Sequence, residues 1–203
     1  MRFNIGEFGV WAGYDLYHIA VSFVLYSILG WFVESVYMSI CNKKITNRGF
    51  AKGPFCPIYG FGATIGSILL TPFANSLFLV YIIGAFSATA FEYLSGLFMI
   101  RVLGDLWWDY NDKPYNYKGI ICLESTIAWG FYAIGVVIYL NKFIFGLVDR
   151  IDPVKMTFFV EVVLVIAVID YLFRLAAVFS SQINGMKKRV VTVYQSIHDR
   201  WFE

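Results

Sequence analysis

The stretch "NRGFAKGPFCPIYGFG", residues Asn47–Gly62, interrupts an otherwise apolar chain with two basic residues, two prolines and four glycines. Pro54 and Pro57 each remove a backbone donor and fix φ, whereas glycine permits turns that other residues resist. Such backbone is tolerated at membrane depth only where it is buried in protein or lines water. The stretch therefore predicts the end of one apolar helix and an irregular, re-entrant start of the next.

On both sides of this stretch the chain is too apolar for a soluble domain. Of its 203 residues, 59% are hydrophobic, 20% are aromatic and only 15% are charged. A run of about 20 apolar residues can cross a bilayer as a helix. Five runs approach or exceed that length: Leu16–Cys41, Pro54–Phe73, Ser76–Ile100, Gly119–Leu140 and Met156–Phe179. The sequence therefore predicts an all-α, polytopic membrane helical bundle with five transmembrane helices.

Orientation follows from lysine and arginine, which are enriched in cytoplasmic loops. The loops after the first and third spans and the C-terminal segment contain most of them: Lys43, Lys44, Arg48, Lys52, Arg101, Lys113, Lys118, Lys187, Lys188, Arg189 and Arg200. The opposite side has Arg2, Lys142, Arg150 and Lys155. We therefore expect the N-terminus outside and the C-terminus in the cytoplasm. The net charge of +2 then reflects topology, and no nucleic-acid partner is expected.

The chain divides into two predicted parts. Residues 1–182 form the transmembrane helical domain, and residues 183–203 form a cytoplasmic amphipathic tail whose basic residues face anionic lipid. The first apolar run is longer than the core of a signal peptide, so we expect the N-terminal segment to stay attached. The lipid bilayer is thus the first partner that the sequence predicts.

The cysteines and histidines do not suggest a cofactor site. Cys41, Cys56 and Cys122 would lie at or near the reducing cytoplasmic face, and their spacings match no metal or redox motif. We interpret them as small packing residues. His18 and His198 fall on opposite sides of the membrane in this topology. No cofactor is predicted.

The charges inside the spans have a common depth. Four of them should lie roughly 8–14 Å inside the cytoplasmic boundary at 1.5 Å of rise per residue: Glu34, Glu92, Glu124 and Arg174. Asp170 lies four residues before Arg174, on the same helical face, and could pair with it. Ionisable side chains that face lipid are costly, so these should point inward. They predict a polar interior open to the cytoplasm.

Two interpretations of these acids remain open. In the first, Glu34, Glu92 and Glu124 bind a cation or a cationic solute, and Asn47, Arg48 and Asn116 stand at the mouth of the cavity. In the second, the acids pair with bases reaching in from the loops, or stay protonated and hydrogen-bond between helices. The aromatic loop "GDLWWDYNDKPYNYKG" (residues 104–119) is similarly open between a lipid-surface loop and a substrate-contacting lid.

The two halves of the sequence share a short pattern that suggests a repeated unit. In each half an acid-bearing helix is followed by a loop with Asn, a base and Gly, and then by a helix containing glycines: Asn47-Arg48-Gly49 in the first half and Asn116, Lys118 and Gly119 in the second. One interpretation is two tandem two-helix units, related by an axis along the membrane normal, plus a fifth helix.

Four motifs together resemble one bacterial membrane family: "GWFVES", "NRGFAKGPFCPIYGFGA", "FEYLSG" and "WWDYNDKPYNYKGIICLESTIAWG". Over roughly residues 30–130 the chain is similar to the CmpB-like, type IV ABC-transporter permeases. The resemblance implies a small multi-pass protein of the bacterial cytoplasmic (inner) membrane. The chain has no G-x-x-x-x-G-K-[ST] phosphate loop, so an ABC mechanism would require a separate ATPase subunit.

Three functions are therefore considered. The leading hypothesis is a transporter or channel-like protein, forming a homo-oligomer, with a cytoplasm-facing carboxylate cavity for a cation or cationic solute. The second is a membrane enzyme that acts on a lipid headgroup through a carboxylate-held Mg²⁺ or Mn²⁺. The third is a non-catalytic subunit of a membrane complex, whose buried charges specify helix pairing.

Overall fold

The computed structural model describes the backbone of residues 15–47 and 49–202, and the side chains of this part except those of 182, 186 and 188–202. Within these residues lie five helices: α1 (Leu16–Asn42), α2 (Pro57–Leu70), α3 (Leu77–Val102), α4 (Leu123–Val148) and α5 (Pro153–Phe202). A 3₁₀ turn, Thr71–Phe73, follows α2. A two-residue antiparallel ladder joins β1 (Asn116–Tyr117) to β2 (Ile121–Cys122) before α4.

Local sequence explains where the helices begin. Asp15 caps α1 by accepting a hydrogen bond from the backbone N–H of His18, and Ser76 accepts one from Leu79 at the start of α3. At α5, Asp152 accepts from two backbone N–H groups, and Pro153 occupies the first helical position, where a missing N–H costs nothing. These capping residues are readable from the sequence alone.

Four of the five helices are long and apolar enough to cross a bilayer. They are α1, α3, α4 and the first 33 residues of α5, Pro153–Gly185. The exception is α2, whose 14 residues rise about 21 Å against a hydrocarbon core of about 30 Å. Pro57 sets its start, because residues 54–56 are not helical, and the Thr71–Phe73 turn follows its end. The all-α membrane bundle is confirmed, while a fifth crossing and the direction of the termini stay predictions.

The first four helices form two antiparallel pairs, α1 with α2 and α3 with α4. Small residues allow the backbones to approach closely. A methyl group at Gly60 would overlap Phe23 and Ser27 of α1, and one at Gly84 would overlap Ala133 of α4. The helix pairs are therefore fixed by glycines at specific contacts.

The fifth helix packs against α1 and the α1–α2 loop. Its buried residues Met156, Val160 and Ala167 join the apolar cluster built around Val21 and Val24 of α1. Most of its other described side chains are exposed. The backbone continues as one helix to Phe202, but the side chains of the predicted amphipathic tail from 188 onwards lie outside the described residues, as do residues 1–14.

One irregularity lies within α4. Residues Gly135–Leu140 form a π-helical segment, and Asn141 follows it directly. A π-helical turn accommodates an extra residue and often occurs at functional sites. Since Asn141 is only 5% exposed, a polar side chain lies in the bundle core directly after this segment.

Candidate functional site

Glu92 is a buried acid between α3 and α4, with 6% of its surface exposed. Its Oε1 accepts a hydrogen bond of 3.0 Å from the Tyr110 hydroxyl. Its Oε2 lies 3.1 Å from Ser125 Oγ and accepts from Trp129 Nε1 at 3.0 Å. We call Glu92, Tyr110, Ser125 and Trp129 the Glu92 centre. All three partners are neutral, so the centre has no counter-ion in direct contact among the residues with described side chains.

The hydrogens in this centre fit two protonation states. Ser125 has one hydroxyl hydrogen and two neighbouring acceptors, the Cys122 carbonyl at 2.9 Å and Glu92 Oε2 at 3.1 Å. If Glu92 is ionised, Ser125 donates to it. If Glu92 is protonated, it can donate to Ser125 Oγ while Ser125 donates to Cys122. The same heavy-atom positions therefore suit both states.

The loop between α3 and α4 delivers Tyr110 to the acid. The backbone N–H of Tyr110 donates to the Gly119 carbonyl at 2.9 Å, and Trp108 Nε1 donates to the Ile120 carbonyl at 2.8 Å. Gly119 has a φ of +67°, a left-handed conformation that glycine adopts readily. Burial, together with the neighbouring Glu92 carboxyl, raises the pKa of Tyr110 well above its ordinary value. Tyr110 is therefore a neutral donor at physiological pH.

Glu34 belongs to the other helix pair. It is partly buried on α1, and its Oε2 accepts a hydrogen bond of 2.7 Å from the Tyr59 hydroxyl on α2. The ring of Tyr59 lies directly over Gly30, where any side chain would overlap it. Glu34 thus links α1 to α2, as Glu92 links α3 to α4.

Glu124 lies on the surface. Its side chain is 68% exposed and pairs with Lys113, with 2.8 Å between Nζ and Oε2. The hydrogen bond to this carboxylate raises the pKa of Lys113. Glu124 lies in the first turn of α4, where a negative charge interacts favourably with the positive end of the helix dipole. Glu124 is therefore an exposed member of the loop, and the Glu92 hydrogen bonds do not involve it.

Asp170 and Arg174 have separate partners. Asp170 Oδ2 accepts a hydrogen bond of 2.7 Å from the backbone N–H of Gly53, which ties the α1–α2 loop to α5. Arg174 is exposed, with its guanidinium carbon 5.8 Å from the centre of the Phe50 ring. No ion pair joins Asp170 to Arg174 in the described part of the chain, so the contact that their spacing allowed is not formed there.

Asn47 and Asn116 hold turns in their own loops. Asn47 accepts from the Gly49 N–H at 3.1 Å and donates to the Lys52 carbonyl at 2.9 Å. Asn116 accepts from the Gly119 N–H at 3.1 Å and donates to the Lys113 carbonyl at 2.8 Å. Arg48, predicted beside Asn47, lies outside the described residues. Both amides therefore have structural hydrogen bonds that the sequence analysis did not anticipate.

These contacts belong to separate parts of the fold. Glu34 bonds to α2, Glu92 to α4 and the α3–α4 loop, and Glu124 to that loop from outside. Two surface grooves, of about 450 and 530 Å³, are lined by no acidic side chain. No group of three or more His, Cys, Asp or Glu with metal-binding geometry occurs among the described residues. Of the predicted acids, Glu92 has the most enclosed polar environment.

Sequence reasoning missed the partners of Glu92. From the sequence alone, Tyr110 belongs to the aromatic loop of residues 104–119 and Trp129 to the predicted span Gly119–Leu140. The available signal was the number of polar aromatic side chains near an intramembrane acid, because buried Tyr and Trp need an acceptor for their O–H and N–H groups.

Of the cysteines, Cys56 and Cys122 are buried and Cys41 is exposed, and all are free thiols.

The chain was compared with known proteins. A family model described as "Putative ABC-transporter type IV" matches residues 21–175. The match runs from within α1 to within α5 and includes every predicted site residue. No curated protein and no solved structure matches the chain.

Proposed function

Because the chain belongs to this ABC-transporter type IV family, we propose that it is a membrane transporter-type protein in which the Glu92 centre takes up a cation, either a proton or the cationic group of a solute. One observation carries this proposal: Glu92 is 6% exposed and all its hydrogen-bond donors are neutral. A buried acid without a counter-ion is energetically costly when ionised, so such acids mark sites that bind a proton or another cation.

Electrostatics explains why such a centre can respond to a cation. Three hydrogen bonds stabilise the ionised carboxyl, whereas burial in a low-dielectric bundle disfavours it. These two effects oppose each other at Glu92. Because the hydroxyls of Tyr110 and Ser125 can donate or accept, a change of charge at Glu92 needs no rearrangement of heavy atoms.

The remaining predicted residues have supporting roles in this proposal. Asn47 and Asn116 shape the two loops at the cytoplasmic mouth, beside Arg48. Glu34 and Glu124 are additional acids that attract a cation toward that face. Asp170 keeps the α1–α2 loop against α5, and Arg174 lies next to that loop. The substrate-contacting part is then the Glu92 centre alone.

The proposal includes a topology and an assembly. The N-terminus is outside, α2 completes a fifth crossing with the help of its irregular ends, and the C-terminal tail is cytoplasmic, in the bacterial inner membrane. The two helix pairs are parallel copies of one unit. Five helices enclose little volume, so the working form is a homo-oligomer, energised by a separate ATPase or joined to another membrane subunit.

Reconstitution into proteoliposomes tests the function. We would measure proton uptake with an entrapped pH dye, and uptake of a labelled organic cation, for the wild type and for Glu92→Gln. Glu161→Gln is the matched control, because Glu161 is an exposed acid of α5. We expect Glu92→Gln to abolish the flux and Glu161→Gln to retain it. Equal flux for Glu92→Gln and wild type, at equal amounts of folded protein, would refute the proposal.

A non-catalytic subunit is the second candidate. It is favoured by the complete set of hydrogen bonds around Glu92, which is also what a helix-pairing element needs. It predicts co-purification with one defined membrane partner and loss of stability when the chain is expressed alone. The lipid-headgroup enzyme has no such support, although metal-dependent lipid turnover by the purified protein would revive it.

A further inference from the structure

A chain of hydrogen bonds crosses the core between three helices. The hydroxyl of Tyr26 on α1 donates to Asn141 Oδ1 on α4 at 2.6 Å, and Asn141 Nδ2 donates to Ser67 Oγ on α2 at 2.9 Å. Their exposed fractions are 4%, 5% and 3%. The site is separate from the Glu92 centre, since Asn141 lies about 18 Å beyond Trp129 along α4 at 1.5 Å per residue.

Two further hydroxyls border this chain. Ser22, 2% exposed, lies one turn before Tyr26 on α1, and Thr64, 7% exposed, lies one turn before Ser67 on α2. Residues three or four apart share a helical face, so both hydroxyls are on the faces that carry the chain. Neither has a hydrogen-bond partner within the part of the protein that the structure describes.

Hydrogen-bond donation runs from Tyr26 through Asn141 to Ser67, so the hydroxyl on α2 is the last member of the series. Ser67 Oγ accepts from Asn141 Nδ2, which leaves its own hydroxyl hydrogen to donate elsewhere. Ser67 and Thr64 on one face of α2, and Ser22 on the face of α1 that carries Tyr26, thus offer hydroxyl hydrogens and lone pairs. Leaving buried hydroxyls unpaired costs free energy, and native proteins satisfy nearly all of them.

The π-helical segment of α4 is an independent observation at the same place. It ends at Leu140, directly before Asn141, and such segments often occur at functional sites. Ser22 lies about 9 Å from the start of α1 at 1.5 Å per residue, and its 2% exposure places it inside the bundle.

We propose that Ser22, Thr64 and Ser67 bind ordered water, which completes the Tyr26–Asn141–Ser67 chain. A buried water typically makes about three hydrogen bonds, and the three hydroxyls on two facing helices supply them. Tyr26, Asn141, Ser67, Ser22 and Thr64 are all uncharged, which favours a neutral ligand over an ion. The bundle then contains a hydrated site in the half away from the α3–α4 loop.

The sign of a stability change tests the proposal. In full-length protein purified in one detergent, we would compare the thermal midpoints of wild type, Thr64→Val, Ser22→Ala and the double variant. Both single changes should lower the midpoint, and the double change should lower it by less than their sum, because both remove partners of the same water. If the buried hydroxyl of Thr64 had no hydrogen-bond partner, replacing it by a methyl group would keep or raise the thermal midpoint. A Thr64→Val midpoint equal to or above that of wild type therefore overturns the proposal.

Matched controls and a second measurement separate hydration from misfolding. Thr157→Val and Ser181→Ala, at exposed positions on α5, should leave the midpoint unchanged. Magnetisation transfer from water to the Thr64 methyl group, assigned by its loss in Thr64→Val, should be seen in wild type and weaken in Ser22→Ala. No transfer to that methyl group in folded wild-type protein would overturn the proposal even if a variant fails to fold.

Discussion

The hydroxyl of Tyr110, in the loop between α3 and α4, donates a 3.0 Å hydrogen bond to Glu92 in the body of α3. This contact ties the conformation of a loop to the protonation of a buried acid. Since Tyr110 also holds the loop by its backbone bond to Gly119, movement of the loop would remove a donor from the carboxyl. The relationship is the basis of the first two predictions.

Tyr110→Phe should loosen the loop while keeping its ring in place. The change deletes one hydrogen bond to a carboxyl, with an expected loss of about 1–2 kcal/mol of stability. Limited proteolysis of the loop should become faster. The exposed Tyr115→Phe is the control, because Tyr115 is 84% exposed. A Tyr110→Phe loop as resistant as that of wild type would mean that the hydroxyl does not hold it.

Substitutions at Glu92 should distinguish shape from charge. Glu92→Gln keeps the size and can pair with Ser125 and Trp129, so it should stay folded with a small change in stability. Glu92→Ala leaves buried donors unpaired and should cost about 2–4 kcal/mol. Thermal unfolding in detergent measures both. If Glu92→Gln were the more damaging of the two, the carboxylate charge itself would be required for folding.

Two glycines should respond oppositely to alanine. At Gly84 a methyl group overlaps Ala133, so Gly84→Ala should separate α3 from α4 and cost roughly 1–3 kcal/mol. At Gly66 no atom lies within 4 Å of the added carbon, so Gly66→Ala should be neutral or stabilise α2 by up to about 1 kcal/mol through helix propensity. Equal midpoints for the two variants would argue against the close α3–α4 contact.

Asp170→Ala should release the α1–α2 loop from α5. The carboxylate accepts a 2.7 Å hydrogen bond from the Gly53 N–H, and its loss should cost about 1–3 kcal/mol because that partly buried donor is left unpaired. Protease cleavage between Lys44 and Pro57 reports the release. The exposed Glu161→Ala should not change the cleavage rate, and an unchanged rate in Asp170→Ala would contradict the docking role.

The Lys113–Glu124 pair should matter little and only at moderate pH. The hydrogen bond to Glu124 raises the pKa of Lys113 above its ordinary value of 10.5. A base with a raised folded pKa stabilises the fold below its unfolded pKa, and that contribution disappears as pH rises through the folded pKa. Wild type should therefore exceed Lys113→Gln slightly in thermal midpoint near neutral pH, and the difference should vanish in strong alkali or high salt. A difference that grows with pH would contradict this assignment.

The sequence predicted elements better than contacts. The apolar runs predicted all five helices, and the structure adds the caps at Asp15, Ser76 and Asp152, which act within one turn. The spacing of Asp170 and Arg174 allowed a pair, yet the facing loop supplied Gly53 and Phe50 as partners. A four-residue spacing defines a shared face, but the neighbouring segment decides which partner is closer.

Glu92 and Glu124 illustrate the same limit at the site. Both were assigned a similar depth, but one is 6% exposed as a residue and the other has a side chain that is 68% exposed. Depth along a helix follows from residue count, whereas the direction of a side chain around the helix depends on how the helices pack. The acids predicted at one depth therefore separate into a buried centre at Glu92, a partly buried contact at Glu34 and an exposed ion pair at Glu124.

The sequence by itself determined that this protein is a helical membrane bundle, because long apolar runs can be satisfied in lipid only as helices with internal hydrogen bonds. Tertiary structure alone decided which polar groups meet: Tyr110 and Trp129 at Glu92, Tyr26 and Asn141 between α1 and α4. These partners lie far apart in the chain, and only the close approach of helices at residues such as Gly60 and Gly84 brings their side chains within hydrogen-bonding distance.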